Sequence, residues 1–120
     1  MFVYYNANPK KDEKVGDCVV RAISLALDID YDIVVKLLIN NSKYFNCDLL
    51  VKDCYAKLLQ DLGFKCYDGR GYTVKEIAED FYNKKLLLRI ENHLTCSLYS
   101  TIYDTWDTSY EMVDVFWVIE

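Results

Sequence analysis

The residues that could do chemistry are few and far apart in the chain. Cys18 follows Gly16-Asp17 and stands where a helix is expected to begin. In the first turn of a helix the unpaired N–H groups and the macrodipole favour a thiolate over a thiol. Asp17 partly opposes this with its own charge, but as an N-cap its carboxylate is expected to be taken up by backbone donors. His93 is the single histidine of the 120 residues, and Ile102-Tyr103-Asp104-Thr105-Trp106-Asp107 follows on the next expected strand. A cysteine at a helix start, a histidine on one strand and an aspartate on its neighbour are the parts of a thiol nucleophile, its base and the group that orients the base.

The geometry rests on one turn. If Tyr99-Ser100 is a two-residue hairpin turn, Leu98 faces Thr101, Asp104 faces Thr95 and Trp106 faces His93. Residues 93, 95, 102, 104 and 106 then share one face of the sheet, because side chains alternate along a strand. His93 and Asp104 become diagonal neighbours, within about 7 Å at Cβ, and the carboxylate can fix the imidazole tautomer. A three-residue turn would place them on opposite faces, and Tyr99-Ser100 lacks the glycine that tight hairpins favour. A competing reading makes Cys18 a buried helix cysteine, His93 a hydrogen-bonded sheet residue and Asp104 to Asp107 a turn beside a packed indole.

The elements that must position these residues follow from periodicity. Phe2 to Tyr5 reads as a short strand and Asn6 to Gly16 as a polar loop. Cys18 to Leu27 reads as a helix burying Val19, Ala22, Ile23 and Ala26. A second helix starts at Asp30 or Tyr31, with Ile33, Val34, Leu37 and Leu38 inward. A third is expected over Cys47 to Leu62, with Leu50, Cys54, Leu58 and Leu59 inward and Gly63 closing it. Phe64 to Tyr67 is a candidate strand, and Asp68 to Gly71 a turn. Thr73 and Glu76 form a capping box for a fourth helix running to about Tyr82. Leu86 to Ile90, His93 to Leu98, Thr101 to Trp106 and Val113 to Ile119 read as strands. Helices first and an antiparallel sheet of about four strands last gives an α+β domain over residues 1–120, with three or four helices on one face of the sheet.

Composition narrows the classes. The chain is 52% hydrophobic and 28% charged, which excludes disorder, and no apolar stretch approaches the ~20 residues that span a bilayer. The net charge of −5 argues against a nucleic-acid partner. Residues 1–90 carry net +1 and residues 91–120 net −6, a solvated acidic surface or an acidic rim beside a site that prefers cationic substrates. The N-terminus has neither the basic nor the apolar region of a signal peptide, so a cytoplasmic protein is expected. Cysteines stand at 18, 47, 54, 66 and 96 without C-x-x-C spacing, so reduced thiols are expected and no metal is. No phosphate loop or serine elbow is present, and no cofactor is expected.

The order Cys, His, Asp and its contexts resemble papain-like cysteine peptidases. More closely, the chain is similar to small phage- and prophage-encoded cysteine-peptidase-like proteins. The likeness rests on Tyr5-Asn6-Ala7-Asn8-Pro9, Gly16-Asp17-Cys18-Val19-Val20-Arg21-Ala22-Ile23, Gly71-Tyr72-Thr73-Val74, and His93-Leu94-Thr95-Cys96 leading to Tyr103-Asp104-Thr105-Trp106-Asp107. It implies a papain-like fold, a Cys18–His93–Asp104 triad and residence in the bacterial host cytoplasm. Members of that group often carry Asp-Gly where this chain has Tyr99-Ser100. Papain-like enzymes also place a glutamine before the nucleophile as an oxyanion donor, where this chain has Asp12, an acceptor only. Losing such a donor costs about 3 kcal/mol of barrier stabilisation. Asn6 or Asn8 could supply it from the preceding loop, beside the Cys18 backbone N–H. Trp106 would wall the site and shield the base from water.

Two functions follow. One is a thiol hydrolase, a peptidase or isopeptidase, acting on a peptide or protein substrate. The other is a weak or inactive relative that binds and inhibits a host or phage protein through its aromatic and acidic surfaces, since tyrosine and tryptophan anchor interfaces. The position of Arg21, on the helix exterior or against the acidic C-terminal segment, stays open.

Overall fold

The computed structural model describes residues 1–9 and 17–119. The polar loop is therefore described only at its start; Asp12 and Gly16 lie outside the described residues.

The first helix, α1 (Cys18–Leu27), forms as its apolar spacing predicts and buries Val19, Val20, Ala22, Ile23 and Ala26. It stops at Asp28, whose left-handed backbone (φ 54°) turns the Ile29 N–H back to the Ser24 carbonyl (3.1 Å). α2 (Tyr31–Phe45) buries Val34 and Leu38 and ends the same way at Asn46, while Ile33, expected inward, faces solvent. α3 (Lys52–Asp61) is shorter than its pattern suggested. The Asp48 side chain accepts from the Leu50 N–H (3.1 Å) and its carbonyl from the Val51 N–H (3.1 Å), so residues 48–51 form a turn that competes with the helix and leaves Leu50 exposed. Cys54, Leu58 and Leu59 are buried as expected. α4 (Val74–Asp80) opens with the Thr73–Glu76 capping box, both reciprocal bonds being present.

The sheet is mixed and six-stranded. Its strands are β1 (Phe2–Tyr4), β2 (Cys66–Asp68), β3 (Lys85–Ile90), β4 (His93–Leu98), β5 (Thr101–Asp104) and β6 (Val115–Val118), in the spatial order β1-β5-β4-β3-β6-β2. Two expectations are corrected here. The sheet is not wholly antiparallel, because β1 joins its edge parallel to β5. The helices do not share a face either. α1, α2 and α3 pack on the face carrying Leu87, Leu94, Cys96 and Trp117, whereas α4 covers Leu86, Leu88, Ile90, Ile102 and Phe116 on the other. The central strand β3 reads as a continuous apolar run, Leu86-Leu87-Leu88, because both its faces are covered.

The β4–β5 hairpin has the two-residue turn. Leu98 pairs with Thr101, Ser97 with Ile102 and Cys96 with Tyr103. Tyr99 (φ 52°) and Ser100 (φ 70°) both take the left-handed conformation that such a turn needs, without a glycine. The Tyr99 N–H donates to the Lys84 carbonyl (3.0 Å), which ties the turn to the start of β3. β5 ends at Asp104 rather than Trp106, so Trp106 is not strand-paired with His93. The Asp104 carboxylate instead takes the next backbone N–H, that of Thr105 (2.7 Å).

Candidate active site

α1 packs against β4, and its first residue meets the first residues of that strand. The β5 ladder ends at Asp104, short of His93 and Leu94. The Cys18 thiol sits at this end of the sheet, hydrogen-bonded to the His93 imidazole and to the Leu94 backbone N–H. His93 Nε2 lies 2.7 Å from Asp104 Oδ2, which leaves Nδ1 for the thiol. The Thr95 hydroxyl donates to the same carboxylate oxygen (2.6 Å). The structure thus brings Cys18, His93 and Asp104 into one hydrogen-bonded chain. The Asp104 side chain is 5% exposed and that of His93 11%.

The electrostatics follow from this packing. Burial pushes the Cys18 thiol up, but the His93 hydrogen bond, the Leu94 N–H and the imidazole charge outweigh it, and the net shift is downward. Burial pulls the His93 pKa down, yet its hydrogen bonds to Asp104 and Cys18 and their charges lift it to about 9. Burial likewise raises the Asp104 carboxyl, and the His93, Thr95 and Thr105 hydrogen bonds more than reverse it. Both shifts act in the direction of a thiolate beside an imidazolium. By contrast, burial pushes the Cys96 thiol far up and raises that of the exposed Cys66.

Trp106 stands where a wall was expected. Its ring centroid is 5.1 Å from that of His93, at 54°, with 43% of the residue exposed. It packs against the imidazole and does not line the groove beside the thiol.

Asn6 and Asn8 are both buried in the segment leaving β1. The Tyr5 N–H donates to the Asp104 carbonyl (2.9 Å), which carries this segment past the site. Asn8 donates its backbone N–H to Asn6 Oδ1 (2.9 Å) and its side-chain amide to Asp17 Oδ2 (3.1 Å). Asp17 precedes α1 but makes no side-chain cap bond. Its carboxylate is held by Arg21, Asn8 and the Tyr31 hydroxyl instead, which corrects the expected backbone capping. Arg21, whose placement the sequence left open, bonds Asp17 and lies 3.9 Å from Asp104 Oδ1. It turns inward between two carboxylates rather than to the helix exterior. The Asp17–Arg21 spacing of one helical turn was the signal for the first of these contacts.

A groove of about 440 Å³ opens beside the thiol, lined by residues that include Cys18, His93, Asn92, Lys52, Tyr55 and Arg89. Its charge is not the acidic rim that residues 91–120 suggested. Lys52 and Arg89 line it against a single carboxylate, Asp53, while Asp114 is engaged by Lys52 (3.0 Å) and Asp107 by the Ser109 N–H (3.0 Å).

The expectation of reduced thiols is also corrected. Cys47 and Cys54 form a disulfide, because the left-handed Asn46 and the turn after it bring Cys47 within 5.7 Å (Cα–Cα) of the first turn of α3. Such a contact is invisible to a search for C-x-x-C spacing. Among the described residues no cluster of three or more histidine, cysteine, aspartate or glutamate side chains could hold a metal ion, and no helix is long and apolar enough to cross a membrane. No protein-family model, curated protein or solved structure matches the chain.

Proposed function

We propose that the protein is a papain-like thiol hydrolase that cleaves a peptide or isopeptide bond. The observation that carries this reading is the hydrogen-bonded chain from the Cys18 thiol through the His93 ring to Asp104 Oδ2, the last link 2.7 Å long. A nucleophile that opens a helix, with base and carboxylate on adjoining strands, also supports the resemblance to small phage-encoded cysteine-peptidase-like proteins.

In this mechanism the Cys18 thiolate attacks the scissile carbonyl carbon. A C–S bond forms and the oxygen becomes an oxyanion. The Cys18 backbone N–H would face that oxyanion, with Asn6 as the side-chain candidate to join it, since the Asn8 amide is taken up by Asp17. The His93 imidazolium then gives its proton to the leaving amine as the C–N bond breaks. Neutral His93 next takes a proton from water as the water oxygen attacks the thioester carbon. The new C–O bond forms, the C–S bond breaks, the acyl group leaves as a carboxylic acid, and the Cys18 thiolate is restored beside the imidazolium. Asp104 holds the imidazole in place and stabilises its charged form throughout.

The test is alkylation by a peptidyl chloromethyl ketone, with the modified residue located by mass spectrometry. Wild type should label at Cys18, while Cys18→Ala and His93→Ala should lose that labelling with the fold intact by circular dichroism. Labelling that survives His93→Ala at the wild-type rate removes the base from the mechanism and leaves a binding role for this fold.

A further inference from the structure

The groove beside Cys18 contains a charge that the protein does not neutralise. Arg89 is on β3, opposite Leu94 in the ladder, and so points to the same face as α1 and α3. It is half-buried and lines the groove with Cys18 and His93. One of its terminal nitrogens donates to the Ile90 carbonyl (2.7 Å), but its buried Nε has no hydrogen-bond partner. It makes no ion pair with any described carboxylate. Asp53, the one carboxylate lining the groove, forms no ion pair with it, and Asp114 outside the groove is engaged by Lys52.

A second unsatisfied donor lies beside it. Tyr55 is 1% exposed, lines the same groove, and its hydroxyl has no partner. Tyr55 lies close enough to Arg89 and Cys18 to feel both charges. Burying a guanidinium N–H and a phenol hydroxyl without acceptors is costly, and a bound ligand that supplies the acceptors is one way such groups are satisfied. The chemistry that fits is an oxygen anion with acceptor sites for a planar fork and a hydroxyl, which describes a carboxylate.

We propose that Arg89 and Tyr55 form a subsite for a substrate carboxylate next to the bond that Cys18 attacks, so that the enzyme selects acidic or carboxylate-terminated peptides. This rests on the hydrolase reading above and adds its substrate class. It reverses the preference for cationic substrates that the acidic C-terminal segment suggested.

The test uses three chloroacetyl compounds with one warhead: chloroacetyl-glutamate α-amide, chloroacetyl-glutamine with a free α-carboxylate, and chloroacetyl-glutamine amide. In each, the Cys18 thiolate displaces chloride as the C–S bond forms. At least one acid should alkylate Cys18 about tenfold faster than the neutral amide, the scale of one charge-assisted pair. The faster acid shows whether a side-chain or a terminal carboxylate is bound. The preference should shrink in high salt and fall to near unity in Arg89→Gln. Tyr55→Phe, which removes only the hydroxyl, should lower it partly. Equal alkylation by all three compounds, with Cys18 still reacting rapidly with iodoacetamide, overturns the subsite alone. A Cys18 inert even to iodoacetamide overturns the subsite and the hydrolase reading together.

Discussion

Thr95 and Asp104 face each other across the β4–β5 hairpin, and the Thr95 hydroxyl bonds the same oxygen, Oδ2, that holds His93. The carboxylate is therefore fixed by a strand neighbour before it orients the imidazole. Thr95→Val removes that bond while keeping the side-chain shape. We expect about 1 kcal/mol of lost stability and a several-fold slower alkylation of Cys18 near neutral pH. Thr95→Ser should restore both. Chemical denaturation and labelling rates on the two variants measure this.

Asp104→Asn separates charge from geometry. Asparagine still accepts a hydrogen bond, but the imidazolium loses its anionic neighbour. The pKa of His93 should fall from about 9 towards its ordinary 6.5, read by proton NMR of the single imidazole. Cys18 labelling at pH 7 should fall with it. A melting temperature that drops while labelling stays constant would show Asp104 to be a turn residue only.

The pH dependence has a definite sign. The folded-state pKa of His93, about 9, lies above the unfolded value near 6.5. Its stabilisation is fully present below about pH 6.5 and is lost as pH rises through 9. Comparing wild type with His93→Gln in urea at pH 6 and pH 10 should show a stability gap at the lower pH that narrows at the higher. At pH 6.5 iodoacetamide should modify Cys18 well before Cys66, and leave Cys96 untouched, because burial raises both of their pKa values while Cys18 is lowered.

The Tyr99-Ser100 turn holds two non-glycine residues in the left-handed region. Replacing Ser100 with glycine should stabilise the protein by about 1 kcal/mol, a rise of about 4 °C in melting temperature, without altering the register. A fall would mean that the serine side chain contributes something the backbone does not show.

The Cys47–Cys54 bridge closes a short loop whose residues Leu50 to Asp53 form one wall of the groove. Ellman titration of the unreduced, denatured protein should count three thiols rather than five. Cys47→Ser should cost about 2 kcal/mol, measured by urea denaturation.

What the sequence revealed was mostly local. The α1 stripe, the Thr73–Glu76 box and the hairpin register are set by residues within a turn or two of each other, and the register alone placed Thr95, His93 and Asp104 on one face. The parallel pairing of β1 with β5 and the placement of α4 behind the sheet depend on contacts between distant segments. The three-residue strands β1 and β2 are too short to announce their partners. Arg21 and Asn8 were visible as residues, but their convergence on Asp17 needed the loop and helix in place. Arg89 gave no sign at all, since a lone arginine in an apolar strand resembles a solvated side chain until its surroundings are known.

Cys18 belongs to α1, and His93 and Asp104 to a hairpin late in the chain, joined through a core that includes Ile23, Leu87, Leu94 and Cys96. The downward shift of the Cys18 thiol comes from His93 and the Leu94 N–H, both on that hairpin, so it depends on the helix and the hairpin being packed together. The reactivity of Cys18 is thus a built-in gauge of tertiary structure. In a denaturant series its labelling rate at pH 6.5 should collapse at the same midpoint as the near-ultraviolet signal of Trp117, which packs in that core. A helix-rich intermediate with a loosened sheet would keep its far-ultraviolet spectrum and lose the thiolate.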